Sequence, residues 1–301
     1  MWRILLNHDL SSFGYRSEAH TLEGGPGSSS IAYGDFTLIG PKDINSNDRQ
    51  STWLQQADIV FIDNPVGTGF AYVDKNDAYT TDMEQVGKAI QQREVNMTQF
   101  KGVGLGDASI SPIDFVNSYG AYLHGKFTND VNVYNIMEKY NYDFTSLNEY
   151  MNTVVRKKLE IVTENVKFVG TRANDVFNMH YGDNMKPVYE TVDKLLEYDL
   201  QVTIYNGELD LICNTIGDEK WVNRLHWQHL GDYNKSTKEA FSRKSHPLAG
   251  YIKSYKNLQF IYVLEAGNLM PMDDPESGLY VLQRIIGNIV PSTQNTAFHR
   301  P

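Results

Sequence analysis

Three features of the sequence predict an α/β fold with a mainly parallel sheet. First, Leu258, Phe260, Ile261, Tyr262, Val263 and Leu264 make a short run dense in β-branched and aromatic residues, the pattern of a strand buried on both faces. Second, that run ends in the turn Ala266–Pro275, after which Leu279, Leu282, Ile286 and Ile289 recur at helical spacing. Third, the same order of strand, turn and helix occurs earlier, at Val202–Asn206, Gly207–Asp210 and the segment carrying Trp221, Val222 and Leu225. In open α/β sheets, ligands and working side chains collect at the carboxyl ends of the strands. That singles out Asp210 and Asn268, of which Asn268 can hydrogen-bond but has no titratable proton near neutral pH.

The elements before these follow in order. Residues 1–20 show no periodicity and are assigned no structure. Leu22–Ser30 is a Gly-rich loop whose backbone N–H groups can approach a ligand closely, or a plain tight turn. Ala57–Asp63 reads as a buried strand leading into a second Gly-rich loop, Asp63–Phe70. No lysine follows its last glycine, which disfavours a phosphate-binding loop. Asp82–Gln92 is compatible with a short helix, Phe100–Leu105 with a weak strand ending at Gly106-Asp107, and Asp107–Gly125 with irregular chain. Leu147, Met151, Val154, Val155 and Leu159 share one helical face, and Met185–Tyr198, with Pro187 near its start, is a further amphipathic helix. The tail after Val290 is expected to fray.

Composition narrows the function. With 301 residues and 41% hydrophobic content, the chain can bury one large core or at most two domains. A net charge of −10 without a basic, aromatic-interleaved stretch argues against nucleic acid as a partner. No stretch is long enough to span a membrane, and the apolar run after Arg3 is too short for the core of a signal peptide. The single cysteine, Cys213, excludes an internal disulfide and a Cys-rich zinc site. His226 and His229 read as residues of a helix end rather than as a metal pair, so no metal is assigned. Asn96-Met-Thr and Asn234-Lys-Ser are candidate glycosylation acceptors.

Two strand-end turns carrying Asp210 and then Asn268 have the order of acid and histidine in α/β-hydrolase triads. The segments Gly24-Gly-Pro-Gly-Ser-Ser29, Asp63-Asn-Pro-Val-Gly-Thr-Gly-Phe70, Tyr205–Asn214 and Ala266–Pro275 resemble the signature segments of the serine carboxypeptidases. Gly106–Asp114, Met185–Val188 and Ser254–Leu258 are most similar to the retinoid-inducible branch of that family. The resemblance runs in order over roughly residues 22 to 290. It implies an α/β-hydrolase fold in a single domain, 1–301, with a helical insertion at roughly 125–185. It further implies a peptide substrate, no cofactor, and a secreted or lysosomal location.

Family chemistry needs a serine that attacks the peptide carbonyl, a histidine that takes its proton and an aspartate that orients the histidine. By resemblance Asp210 is the triad acid, while Asn268 stands where the family has its histidine. The family's Gly-Glu-Ser-Tyr-Gly-Gly elbow occurs nowhere in the chain. It would fall between the segments matched at Met83 and Gly87, where a strand and its crossover helix, a unit of roughly 30 residues, are missing. Without that strand its two neighbours would be left with unpaired backbone groups unless the sheet closes across the gap. Ser118, in Asn117-Ser-Tyr-Gly120, lacks the preceding glycine and strand of an elbow, and Cys213 reads as a buried, inert thiol.

The resemblance places the recognition of the peptide's terminal carboxylate at an Asn or Gln before Gly24-Gly25, where this chain has Glu23. It also places a Glu at the position of Leu38. Gly25 would supply one backbone donor of the oxyanion hole. Three readings stand on these residues: a catalytically silent carboxypeptidase relative, an active enzyme of which this is an incomplete product such as a skipped exon, and a non-catalytic binding module.

Overall fold

A computed structural model of the protein describes residues 3–8, 17–24, 27–75, 79–82, 84–86, 100–123, 131–139, 142–163, 165–172 and 185–287. Eight strands form one mixed sheet: β1 (Arg3–His8), β2 (Glu18–Glu23), β3 (Asp58–Phe61), β4 (Phe100–Gly106), β5 (Gln201–Gly207), β6 (Lys238–Phe241), β7 (Gly250–Tyr255) and β8 (Leu258–Val263). Their order is β3-β2-β1-β4-β5-β8-β7-β6. The pairs β2/β3, β4/β5 and β5/β8 are parallel, while β1 runs antiparallel to both of its neighbours and β7 to both of its own.

The strands β5 and β8 are the best anchored, because their alternating side chains feed two separate cores. Val202, Ile204, Leu258, Phe260 and Tyr262 enter one cluster with Val192, Leu196, Trp221 and Leu225. Tyr205, Ile261 and Val263 enter the other, with Tyr33, Trp53, Leu147, Met151, Met270, Val281 and Leu282. Every residue of β8 is buried, as its unbroken apolar run predicts.

Helices cover both faces. Tyr189–Glu197 lays Val192 and Leu196, one turn apart, onto the first cluster. It begins after Pro187, slightly later than the sequence pattern implies, since proline has no N–H for a helix interior. Thr215–Val222 is capped by Asn214, whose side chain accepts from Gly217 N at 3.0 Å. Pro275–Ile285 is capped by Asp274, which accepts from Ser277 N at 3.0 Å, and it sets Val281, Leu282 and Ile285 on the second cluster.

Several sequence expectations need correction. Residues 1–20 are not featureless, for they contain β1 and the start of β2. Pairing on both sides, rather than local pattern, makes Arg3–His8 a strand. Because β1 pairs with both β2 and β4, those two strands are not left with open edges between them. The strand at 58–61 is no buried core strand: it lies at the sheet's edge, where Asp58 is exposed and Val60 is 40% exposed.

Asp107–Gly125 holds two short helices, Pro112–Val116 and Tyr119–Leu123, the first opened by its proline. The helical run Thr145–Tyr150, Met151–Val155, Arg156–Leu159 widens to π-helical winding in its middle part, which shifts the buried face. Leu147 and Met151 stay buried while Val154 and Leu159 are exposed. Most of Asp82–Gln92, together with Asn96, Ile289 and the tail, lies outside the described residues.

Gly217 joins two of these elements at close range. A Cβ added there would lie 2.3 Å from Phe115 Cδ1 and 2.9 Å from Phe115 Cα. Phe115 is itself buried, so it has nowhere to retreat. Gly217→Ala is expected to destabilise the protein by about 1–3 kcal/mol, the usual cost of overpacking, read as a lower urea midpoint at unchanged slope.

Candidate active site

The strands β2, β4, β5 and β8 all end at the same edge of the sheet, so the turns that leave them converge there. The turns after β5 and β8 are stitched together by their backbones: Glu208 N donates to Val263 O at 2.8 Å and Leu209 N to Ala266 O at 2.8 Å. Gly207 is demanded by this approach, since a Cβ there would sit 2.3 Å from both Ala266 O and Gly267 O. The result is that Asn268 Nδ2 donates to Asp210 Oδ2 at 2.9 Å, with both side chains buried. The second carboxylate oxygen, Oδ1, accepts from Cys213 N at 3.2 Å. Residues named from the sequence on two turns about sixty positions apart are thus in direct contact.

The floor of the site is acidic. Gly207 N donates to Asp107 Oδ1 at 3.2 Å, and Asp107 has a left-handed backbone with φ 45°. Asp218 accepts from Trp221 Nε1 at 2.8 Å and from Asn206 Nδ2 at 2.7 Å. Burial pushes Asp210 up from its ordinary value to about 7, against the opposing pull of the Asn268 hydrogen bond. Burial also drives Asp218 well up, despite its two donors. The Cys213 thiol is fully buried and is raised first by desolvation and then by Asp210, which keeps it protonated and a poor nucleophile. Ser118 is buried, and its hydroxyl donates to Asp114 O at 2.6 Å, one helical turn back. Neither residue has the setting of an activated nucleophile.

Residues that the sequence did not single out hold the Asn268 turn. Asn268 N donates to Tyr134 O at 2.7 Å. Gly267 N and Asn135 Nδ2 donate to Asp273 Oδ2 at 2.7 and 3.0 Å, and Tyr142 OH donates to Asp273 Oδ1 at 2.8 Å. Tyr122 OH donates to Glu208 O. No local pattern marks these tyrosines, because their role comes from a segment more than sixty residues before the turns they brace. Asp107 had a signal, its place directly after a strand end.

At the other half of the edge, the Gly-rich loop is pinned to Asp63, whose Oδ1 accepts from Ser29 Oγ at 2.9 Å and from Ile31 N at 3.1 Å. Glu23, the last residue of β2, is buried, and its N–H donates to Ser30 Oγ at 2.7 Å. Gly24 is half-buried in the turn that follows, and Gly25 lies outside the described residues. Leu38 is a core residue, buried in a hydrophobic cluster. Asn234 is exposed at the end of the helix Leu230–Lys235. Among the described residues no group of three or more His, Cys, Asp or Glu could hold a metal ion, and no helix is long and apolar enough to cross a membrane.

Comparison with known proteins agrees with this architecture. A family profile described as serine carboxypeptidase matches residues 22–93 and 125–288. Retinoid-inducible serine carboxypeptidase of Mus musculus is 32% identical over 94% of this chain and 87% of its own length, and that of Homo sapiens is 31% identical over the same shares. Serine carboxypeptidase-like 51 of Arabidopsis thaliana is 29% identical over 91% of this chain and 85% of its own length. Among solved structures, the prohormone-processing carboxypeptidase Kex1(delta)p of Saccharomyces cerevisiae superposes with a TM-score of 0.77, at 17% identity, over 98% of this chain and 88% of that one. The chain belongs to the serine carboxypeptidase family and has the α/β-hydrolase fold.

The elevated Asp210 makes stability depend on pH with a definite sign. The unfolded carboxyl loses its proton near pH 4, whereas the folded one keeps it to about 7. Its contribution is therefore complete below pH 4 and lost as pH rises through 7, at up to about 1.4 kcal/mol per pH unit. Urea titrations of wild type and Asp210→Asn across pH 4 to 8 are expected to show that slope in the difference between them, whatever the constant offset. Asn268→Ala removes the donor that holds the carboxylate, so it should lower stability by about 1–3 kcal/mol and move the titration to still higher pH.

Proposed function

We propose that this chain is a catalytically silent member of the serine carboxypeptidase family. The observation that carries the reading is the hydrogen bond from Asn268 Nδ2 to Asp210 Oδ2. In the family's chemistry the acid orients a histidine that takes the proton of the serine hydroxyl as its oxygen attacks the peptide carbonyl carbon, and then gives that proton to the amine that leaves as the C–N bond breaks. An asparagine in that place satisfies the acid and reproduces the contact, yet its amide neither takes nor gives a proton near neutral pH. The absence of any Gly-x-Ser-x-Gly elbow from the sequence removes the nucleophile as well. We read residues 1–301 as one such domain with its helical insertion at roughly 125–185. We further propose that a peptide is the ligand, that the protein is secreted or lysosomal, and that Asn96 and Asn234 are glycosylation acceptors.

A second reading is favoured by one finding. The alignment with the mouse relative spans 397 positions, more than the 301 residues of this chain, so the relative carries segments with no counterpart here. An incomplete product of a gene whose full product is active would have this property. Sequencing transcripts across Val86–Lys88 separates the two: an in-frame segment encoding a serine elbow supports the second reading, and its absence supports the first.

The purified chain is expected to release no C-terminal residue from peptides at acidic or neutral pH, and Asn268→His alone is expected to leave it inactive, since base and nucleophile are both required. Turnover that a serine-directed phosphonate abolishes would overturn the reading.

Carboxylate recognition gives a separate check. Glu23 offers only acceptors when ionised and repels a terminal carboxylate, where the family presents an amide donor. Residual peptide affinity is expected to favour a C-terminal amide over the free acid, with Glu23→Gln narrowing the gap in calorimetry on the paired peptides. Tighter binding of the free acid would show that the carboxylate site still works.

A further inference from the structure

Without β1 the sheet falls into two pieces, β3-β2 on one side and β4-β5-β8-β7-β6 on the other. The strands that would then face each other, β2 and β4, are interior strands by burial: Ala19–Glu23 and Gly102–Gly106 are buried throughout. They also run parallel to one another, so the space between them has the width and backbone chemistry of one further strand. β1 fills it in the opposite direction. Its register sets Arg3 opposite Glu23 and Gly106, and His8 opposite Glu18 and Phe100.

The register is specific. Ile4 falls opposite Leu22 and Leu105, and Leu6 opposite Val103, whereas Arg3, Leu5 and Asn7 fall opposite Gly106, Gly104 and Gly102. On the β4 side, a slip by one residue would exchange the apolar and glycine partners from Arg3 to Asn7, whereas on the β2 side Leu6 lies opposite His20 and Asn7 opposite Ala19. β1 also lies outside the residues matched by the family profile, although it occupies the centre of the sheet.

We propose that the gap between β2 and β4 is a strand-acceptor site for an extended peptide segment, occupied in this chain by its own Arg3–His8, and that it takes the same segment when supplied as a separate peptide. Recognition rests on backbone N–H and C=O groups presented from both sides, with the Leu22/Leu105 and Val103 positions selecting apolar residues at alternate places. The inference does not rest on catalytic silence, because it uses only the pairing of β1, β2 and β4.

Two arms test it, the first on the intact chain and the second on the full-length protein nicked after folding. In the first, His8→Cys/Glu18→Cys places a cysteine pair at opposed positions of the antiparallel register, within reach of a disulfide. His8→Cys/Glu23→Cys places a pair that only a parallel strand would bring together. The native Cys213 is fully buried and does not compete. Mild oxidation of the folded protein is expected to cross-link the first pair within one chain and leave the second reduced. The converse, or cross-linking of neither, overturns the proposal.

In the second arm, a protease site introduced into residues 9–16 is cut, and the nicked protein is mixed with an excess of labelled synthetic peptide spanning residues 1–12. The label is expected to co-elute with the body on gel filtration, displacing the nicked segment almost completely, while a scrambled peptide of the same composition does not enter. Loss of the nicked segment with an unchanged near-UV spectrum, failure of the label to enter, or equal uptake of the scrambled peptide each overturns the proposal.

Discussion

The parallel pairing of β5 with β8, in register from Val202 and Leu258 to Gly207 and Val263, is the constraint on which the site depends. Both strands are buried on both faces and anchored in two separate cores, so neither can slide without turning apolar side chains out of both. Once their ends are level, the turns beyond them bond backbone to backbone, and Asp210 and Asn268 meet at 2.9 Å. The polar contact is therefore set by apolar packing some way below it. The tyrosines and Asp273 that surround the turns hold a geometry that the strands have already chosen.

That geometry joins structural retention to the proposed loss of chemistry. A buried acid needs a donor, and the amide of Asn268 supplies one at hydrogen-bond distance. The contact that would orient a proton-carrying base is made here by an amide, which donates a hydrogen bond but has no proton that titrates near neutrality. Such a substitution leaves the acid satisfied and the turn in place, so it is compatible with an intact fold while the proposed loss of turnover follows from chemistry alone. Conversely, the buried acids Asp210 and Asp218 sit in surroundings that favour their neutral forms, which ties the integrity of this edge of the sheet to acidity.

The sheet shows a second compromise. Its two halves are united by a strand from the start of the chain that runs against both neighbours. Parallel strands normally need long crossovers, whereas an antiparallel strand can be supplied from a nearby segment through a short link. A six-residue segment can therefore close the middle of the sheet without the crossover that a parallel strand would require. Its first residue lies at the edge of the sheet where Glu23 and Gly106 end their strands, so this closure reaches the same edge as the candidate site.

The sequence by itself determined the strands β5 and β8, while β6 and β7 beside them were not read from it. Val202–Asn206 and Leu258–Leu264 announce themselves because strands buried on both sides must be apolar at every position, and their turns carry Asp210 and Asn268 where strand ends collect function. The signature segments likewise identified the family, since those residues are constrained locally by tight turns and close backbone approaches, as at Gly207. What only the tertiary structure decided is non-local. Arg3–His8 has no pattern of its own and becomes a strand because two others lie beside it. Asp58–Phe61 looks like core and is an edge, because burial depends on what stands next to a strand rather than on its composition. The bracing by Tyr122, Tyr134 and Tyr142 joins segments far apart in the chain, and no spacing rule along a sequence encodes a contact whose partners are brought together only by the fold.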